Sequence, residues 1–495
     1  MTERNLADGI ASSDLGDDAV IAGKVGDEDI VLLRSGGRLC AMSGTCPHAG
    51  APLAEGLVVD GTLRCPWHHA RFDCATGEAV GAPAFGALDR FAVSEEHGVI
   101  RVGAKLPVQQ PVAAANQPGR IVIVGGGPAG HACAEMLARH GAGSAVTLLS
   151  DDADAPYDRT ACSKQYLAGK VGRDEIALPV PQGVLVRLAT HVEGIDAAAR
   201  FVQVAGGESI AYDHLVLATG AEPLVPPFDG ADRDDVHVVR TLADADALVA
   251  WATEGKRALV IGSSYIGLEV AASLIGRKLE VTVVADADVP LEKTAGPEVG
   301  SMIRRLHESK GVTFKTGRTV KAWDGHAVTL DDGSRVEADL IVAGTGVRPR
   351  IALARAAGLA LAEEDNGGGI TVDSTLRTSD PAIFAIGDVA NVPDPRLGHA
   401  IRVEHWVVAQ HMGQWLARHL LGLVDGEYDD VPFFWSGHYD VSLRYVGHVA
   451  SPEERHIDGD IAAKDFAVSF EEEGKRQALM TCGRDREALI FEAEA

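Results

Sequence analysis

Two short segments hold the residues best suited to bind a metal centre. Cys46-Pro47-His48 and Cys65-Pro66-Trp67-His68 each offer one thiolate and one imidazole, and residues 49–64 lie between them. Two thiolates on one iron and two imidazoles on the other form the ligand set of a mixed-ligand [2Fe–2S] cluster. Pro47 and Pro66 restrict the loop backbones, and Gly44 and Gly50 permit tight turns that aim backbone N–H groups at sulfur. A Cys₂His₂ set also suits structural Zn²⁺. Zinc fingers keep their cysteines together and their histidines together. Here each segment holds one of each, and no finger helix follows. Cys46, His48, Cys65 and His68 are the expected iron ligands.

Two glycine-rich turns come next. Gly125-Gly126-Gly127-Pro128-Ala129-Gly130 is a G-x-G-x-x-G between an apolar run and an Ala-rich one. Bare backbone there can approach a pyrophosphate, and a helix N-terminus adds N–H groups and a positive dipole end. An acid about 20 residues on binds ribose hydroxyls in such sites. Asp151 fits, with Asp152 in reserve. Gly262-Ser263-Ser264-Tyr265-Ile266-Gly267-Leu268-Glu269 repeats the device, with Ser in place of the middle Gly. The ribose-reading position after Val281–Val284 is Ala285, followed by Asp286. An acid there favours NADH and a basic residue NADPH. No Arg is near in sequence, so NADH is expected, with NADPH as the alternative.

These turns need elements to hold them. From Leu6 to Val102 the chain reads as short strands, such as Ala19–Ile21, Ile30–Arg34, Leu39–Met42 and Val99–Val102. Residues 106–119 are rich in Pro, Ala and Gln and read as a linker. Strand Ile121–Val124, a helix ending at His140 and strand Val146–Leu149 make a β-α-β opening, and strand Leu215–Leu217 follows. Ala258–Ile261, Ile266–Ile275 and Val281–Val284 repeat the opening. After Tyr428 the chain turns β-rich and aromatic. The expected fold is multidomain. An all-β [2Fe–2S] domain (5–105) precedes two Rossmann-like α/β domains; segments 218–220 and 375–388 resemble the FAD motifs of two-dinucleotide flavoproteins, which implies that the first (120–240 and 366–427) is for FAD and that the second (241–365), nested in it, is for NAD. A small α+β C-terminal domain (428–495) ends the chain.

The 495 residues are enough for three or four domains, and 46% hydrophobic with 23% charged residues is the composition of a soluble globular protein. No apolar run reaches the 18 residues of a membrane span, and residues 1–16 lack the pattern of a signal peptide. A cytoplasmic location is expected. The net charge of −26 repels nucleic acid and anionic lipid. Neither nucleic acid nor membrane is an expected partner. Seven cysteines without an export signal argue against a disulfide framework. Cys40 and Cys74 carry no motif and read as buried filler.

Residues 46–68 resemble Rieske-type ferredoxins and the ferredoxin-like domains fused to reductases. His69 stands where many such relatives have Gly. Respiratory Rieske proteins carry an extra Cys in each cluster loop. Here Ala49, Gly50 and Ala51 follow His48. The resemblance therefore implies a low potential, near the bottom of the range of about −150 to +300 mV.

From Gly125 to about Tyr445 the chain resembles the pyridine nucleotide–disulfide oxidoreductase superfamily, in its ferredoxin-reductase and apoptosis-inducing-factor branch. Ala218-Thr219-Gly220 matches the branch's ATG motif. Thr375-Leu376-Arg377-Thr378 running to Ile383-Phe384-Ala385-Ile386-Gly387-Asp388 matches its second FAD motif, whose Asp meets the ribitol chain. Pro156-Tyr157-Asp158-Arg159 with Ser163-Lys164 resembles the segment under the flavin, which implies Arg159 near the cofactor and Lys164 near its ring. The resemblance points Glu269 toward the nicotinamide; a solvated helix residue is the plainer alternative. Gly344-Thr345-Gly346-Val347-Arg348-Pro349 matches a turn near the NAD pocket. Glu404-His405-Trp406, with Ala409-Gln410, opens a helix near the flavin, and Trp406 is the residue expected to flank it. Trp435 is either a second candidate there or part of an aromatic core.

Three functions follow. The first is an NAD(P)H-dependent reductase that passes electrons from NADH through FAD to the cluster, and on to a protein acceptor such as an oxygenase, cytochrome or ferredoxin. The second is a thiol or peroxide reductase using Cys162, which stands where the branch usually has Leu. The third is a redox sensor. The chain is expected to act as a monomer or homodimer.

Overall fold

The computed structural model describes residues 4–109, 111–112, 114–450 and 452–495. Gln110 and Ala113 of the expected linker lie outside the described residues, as do Met1–Glu3 and Ser451.

The N-terminal part is all β. A six-stranded sheet runs Ile10–Ala11, Val99–Lys105, Arg90–Glu96, Arg38–Ser43, Glu28–Ser35, Val20–Val25. Alternation along Glu28–Ser35 divides its apolar residues between two cores. Ile30 and Leu32 pack with Leu6, Phe91 and Ile100, while Val31 and Leu33 pack with Leu53, Leu63 and Phe72. The second core carries a four-stranded sheet of Leu57–Val59, Thr62–Arg64, Arg71–Asp73 and Ala79–Gly81. Residues 65–70 join the middle pair of these strands, and residues 46–51 leave the large sheet after Arg38–Ser43. Both Cys/His loops are therefore anchored to one core.

Two parallel sheets follow. The first has the order Leu185–Arg187, Val146–Leu149, Ile121–Val124, His214–Leu217, Ile383–Ala385. The second has the order Val236–His237, Leu340–Ala343, Arg257–Ile261, Glu280–Ala285, Thr313–Thr316. Their central strands read as unbroken apolar runs, as sheets covered on both faces require. Ile383–Ala385 pairs with His214–Leu217 across the whole second sheet, so one α/β unit is inserted in the other. Val236–His237 pairs with Leu340–Ala343 and so belongs to the inserted sheet, although a boundary at 240 assigns it to the first. A two-residue strand carries no period from which to read its partner.

Helix α1 (Pro128–Arg139) leaves the first glycine turn, and α2 (Tyr265–Gly276) leaves the second. Helix α3 (Trp406–Leu420) packs on α1. The C-terminal part is a five-stranded antiparallel sheet, Phe433–His438, Val441–Gly447, Lys475–Cys482, Asp465–Glu472, Glu454–Asp460, covered by α4 (Asp485–Glu494). Among the described residues no helix is long and apolar enough to cross a membrane.

The α1–α3 contact depends on small residues. A Cβ on Gly413 would lie 2.2 Å from the Ala129 carbonyl oxygen and 2.9 Å from the Cys133 nitrogen. Gly413→Ala is expected to force the helices apart at a cost of about 1–3 kcal/mol. A thermal melt followed by circular dichroism would show a lower midpoint.

Candidate functional site

The two Cys/His loops are built alike. Cys46 N donates to Ala51 O (2.9 Å) and Gly50 N to Cys46 O (2.9 Å). Cys65 N donates to Ala70 O (2.8 Å) and His69 N to Cys65 O (3.2 Å). The loops bring His48 Nδ1 and His68 Nδ1 to 3.2 Å and the two thiols into hydrogen-bond contact. Two imidazoles on one tetrahedral metal, at about 2.0–2.1 Å each, would hold their nitrogens about 3.3 Å apart. The nitrogen pair and the sulfur pair stand apart. Among the described residues, the only set of three or more potential ligand atoms all within 4.8 Å is Glu454, His456 and Glu471, on the exposed edge of the C-terminal sheet. No three of Cys46, His48, Cys65 and His68 present ligand atoms all within 4.8 Å of one another, as a single zinc ion would need. A nitrogen pair and a sulfur pair held apart fit a [2Fe–2S] cluster.

The first glycine turn is pressed against its own sheet. A Cβ on Gly125 would lie 2.1 Å from the Ala218 carbonyl oxygen, whereas one on Gly127 would meet nothing nearer than the Arg159 guanidinium carbon, at 3.9 Å. Gly127 thus faces an open space with a cation across it, a cradle suited to a diphosphate. Asp151 is exposed and pairs with His191 at 3.2 Å. Asp152 is largely buried, accepts from Tyr157 Oη at 2.8 Å and lies 3.4 Å from Arg159 Nη2. Asp388 is buried and accepts from Arg240 Nη2 (2.7 Å), and its backbone oxygen accepts from Arg402 Nη1 (3.0 Å). Arg402 also pairs with Glu404 at 2.6 Å, and burial raises the Glu404 carboxyl above its ordinary range. Arg240 lies beside Gly220, and its buried Nε has no protein partner, a spare donor for a ligand. Thr219 Oγ1 instead donates to Arg350 O at 2.9 Å.

The second glycine turn repeats the geometry. A Cβ on Gly262 would lie 2.3 Å from Gly344 O, and one on Gly267 would lie 2.4 Å from Gly262 O. Tyr265 packs edge-on against Phe434 at 4.9 Å, Ile266 is exposed, and Gly346 has φ +94° in an exposed turn. Asp286 is exposed just past Glu280–Ala285. Folding brings Arg318 beside it, with Arg318 N on Ala285 O, but its guanidinium is held by Asp332 at 2.8 Å.

The two halves meet at one buried carboxylate. Glu269 of α2 is 3% exposed, so it is not a solvated helix residue. Its Oε2 accepts from Lys164 Nζ (2.9 Å) and Ser163 Oγ (2.8 Å), and its Oε1 from Ser436 Oγ (2.7 Å). Ser436 continues to His438 at 3.2 Å. Ser436 and His438, on strand Phe433–His438, have no motif to mark them, because they reach Glu269 from an element far from α2 in sequence.

The [2Fe–2S] loops stand against this same region. The His68 ring lies 4.3 Å from the Trp435 ring, and His69 stacks on Phe433 at 3.7 Å. Trp406 packs into the cluster formed by Phe433, Trp435 and Val446, beside His405, whose ring is 4.5 Å from Phe434. Cys162 is buried with Tyr157, Ile176 and Leu242, and burial pushes its thiol up to about 12. A buried thiol without a lowered pKa is inert. Cys40 and Cys74 are buried and free.

The profile of the pyridine nucleotide-disulphide oxidoreductase family matches residues 119–413, more than half the chain, and that of the Rieske [2Fe-2S] domain matches residues 8–92. The chain belongs to the pyridine nucleotide-disulphide oxidoreductase family. Among its relatives is apoptosis-inducing factor 3 of Homo sapiens, 29% identical over 89% of this chain and 76% of that protein. Another is the ferredoxin–NAD(+) reductase component of the anthranilate 1,2-dioxygenase system of Burkholderia cepacia, 37% identical over 70% of this chain and 86% of that one. Among solved structures, the covalent putidaredoxin reductase–putidaredoxin complex superposes with a TM-score of 0.72 at 32% identity, covering 76% of this chain and 93% of the other. The family member described here is a pyridine-nucleotide-dependent flavoenzyme fused to a Rieske domain, with FAD, NAD(P)H and a [2Fe–2S] cluster as its cofactors. Its fold is an all-β Rieske domain followed by nested FAD and NAD units and a small α+β domain.

His68→Ala is expected to lose the cluster while FAD and its reduction by NADH survive. EPR and visible spectra of the purified variant check both. Cys162→Ser is expected to leave steady-state turnover unchanged with disulfide, peroxide and protein acceptors alike.

Proposed function

We propose that this enzyme takes electrons from NADH through FAD to its own Rieske cluster, within one chain, and hands them to an acceptor protein. The contact of His68 with Trp435, on the C-terminal sheet that also supplies Ser436 to Glu269, carries this reading. FAD and the cluster supply the exchange between hydride and single-electron chemistry.

Each residue then has a task. Cys46, His48, Cys65 and His68 ligate the iron atoms. Gly125, Gly127, Pro128, Ala129 and Gly130 form the flavin diphosphate cradle, with Arg159 as its cation and Asp152 replacing Asp151 at the ribose. Ala218, Thr219, Gly220 and Asp388 hold the rest of the flavin nucleotide, and Arg240 is added to them. Gly262, Tyr265, Ile266, Gly267 and Gly346 hold the nicotinamide nucleotide. Lys164 and Glu269 form an ion pair (2.9 Å) between the two nucleotide-binding units, where it would orient the reacting rings. Glu404, His405 and Trp406 close the flavin pocket and exclude water. The domain limits are 5–105, 106–119, 120–240, 241–365, 366–427 and 428–495, with Val236–His237 reassigned to the NAD unit.

The names of the relatives support a protein acceptor. One belongs to a dioxygenase system and another is captured with putidaredoxin. NADH is the proposed donor, supported by exposed Asp286 and by the engagement of Arg318 with Asp332. Seven unpaired cysteines support a reducing, cytoplasmic compartment.

An anaerobic NADH titration followed by visible absorption and low-temperature EPR tests the proposal. Flavin bleaching is expected together with a Rieske signal, at a rate independent of protein concentration. A bleached flavin beside an oxidised cluster that dithionite can reduce would overturn it. NADH is expected to exceed NADPH in kcat/KM, and Asp286→Arg to narrow the ratio.

A further inference from the structure

Glu492 is an anomaly on physical grounds. It sits in the last turn of α4, where the helix dipole disfavours an anion. It is also buried, at 4% exposure. Three donors hold it there, all from the Rieske domain: Arg64 Nη1 at 3.2 Å, Arg71 Nη2 at 2.8 Å and His69 Nδ1. Arg71 extends the network through Nη1 to Asp430 (2.6 Å), which pairs with His411 of α3 (2.9 Å), and His411 Nε2 meets Ala82 O (2.9 Å). Two anions balance two guanidinium groups across three parts of the chain.

His69 is anomalous as well. It adopts φ +59°, a left-handed conformation that a non-glycine residue accepts only when its surroundings hold it. Phe433 on one side and Glu492 on the other fill its slot. His69 directly follows His68, whose ring faces Trp435. The strained backbone and the buried carboxylate therefore act on the same few atoms.

We propose that Glu492 is a positioning residue for electron transfer: by clamping His69, Arg64 and Arg71 it holds the His68 edge of the Rieske cluster against Trp435 and keeps the domain docked on its own reductase. This rests on the internal route from flavin to cluster proposed above. The clamp does not touch either nucleotide cradle, so it sets the transfer step and leaves flavin reduction alone. Misplacing reacting groups by about 1 Å can cost about a hundredfold in rate.

The test uses the intact holoenzyme and Glu492→Gln, which keeps the shape and removes the charge. Arg64→Met with Glu492→Gln removes one cation with one anion and keeps the buried charge balanced should the single variant fail to fold. Three readouts are taken: stopped-flow bleaching of flavin by NADH, appearance of the reduced-cluster signal, and hydrogen–deuterium exchange of residues 64–72. The expected result is unchanged flavin bleaching and unchanged cluster content. Cluster reduction should slow about tenfold or more, with faster amide exchange in 64–72. Wild-type rates of cluster reduction and wild-type exchange in a variant with an intact cluster would overturn the clamp. A wild-type enzyme whose cluster NADH does not reduce would overturn the internal route instead, and the exchange data would still decide whether Glu492 clamps the loop.

Discussion

Two guanidinium groups and two carboxylates, with Arg64 and Glu492 buried and Arg71 and Asp430 partly so, join the Rieske domain to the reductase. Arg64 and Arg71 leave the small sheet beside the cluster loop, while Asp430 and Glu492 come from the far end of the chain. Each charge alone would lose several kcal/mol of hydration on burial, and removing one partner of such a set typically costs about 3–5 kcal/mol. The set is tolerable only assembled, with each carboxylate accepting at least two donors. Once Arg71 spans Asp430 and Glu492, the face of residues 65–70 has one place to go, against Phe433 and Trp435. Charge pairing thus joins ring contacts in holding the docked face.

Behind that contact the reductase uses one device twice. Each nucleotide turn begins with a glycine whose missing Cβ lets a neighbouring strand's carbonyl approach, Ala218 O for Gly125 and Gly344 O for Gly262. Each turn then feeds a helix whose N-terminus is suited to bind a diphosphate. The two helices differ in what they bury. The α2 helix buries Glu269 beneath Lys164, Ser163 and Ser436, where the FAD half, the NAD half and the C-terminal sheet meet. A lone carboxylate there would be costly, and the ammonium with two hydroxyl donors satisfies both of its oxygens.

The arrangement gives the aromatic strand Phe433–His438 two tasks. Its side chains Phe433 and Trp435 back the cluster loop, and Ser436 and His438 continue the polar network at Glu269. Alternate residues of one strand point to opposite faces, so a single strand can serve both cofactor regions. Trp435, readable from sequence either as a flavin neighbour or as core, packs in the aromatic core with Phe433 and also stands against the iron-binding histidine candidate.

Spacing in the chain already defined the chemistry. Cys46, His48, Cys65 and His68 are legible because each loop supplies a thiolate and an imidazole within a few residues. The turns at Gly125 and Gly262 are legible because strand, glycines and helix are contiguous. Val236–His237 in the inserted sheet lies at the edge of such reading, because two residues show no period. Arg240, Ser436, His438 and Glu492 carry no local signature at all. Their roles arise from faces that become buried together across long separations, and only the tertiary structure decides which faces those are.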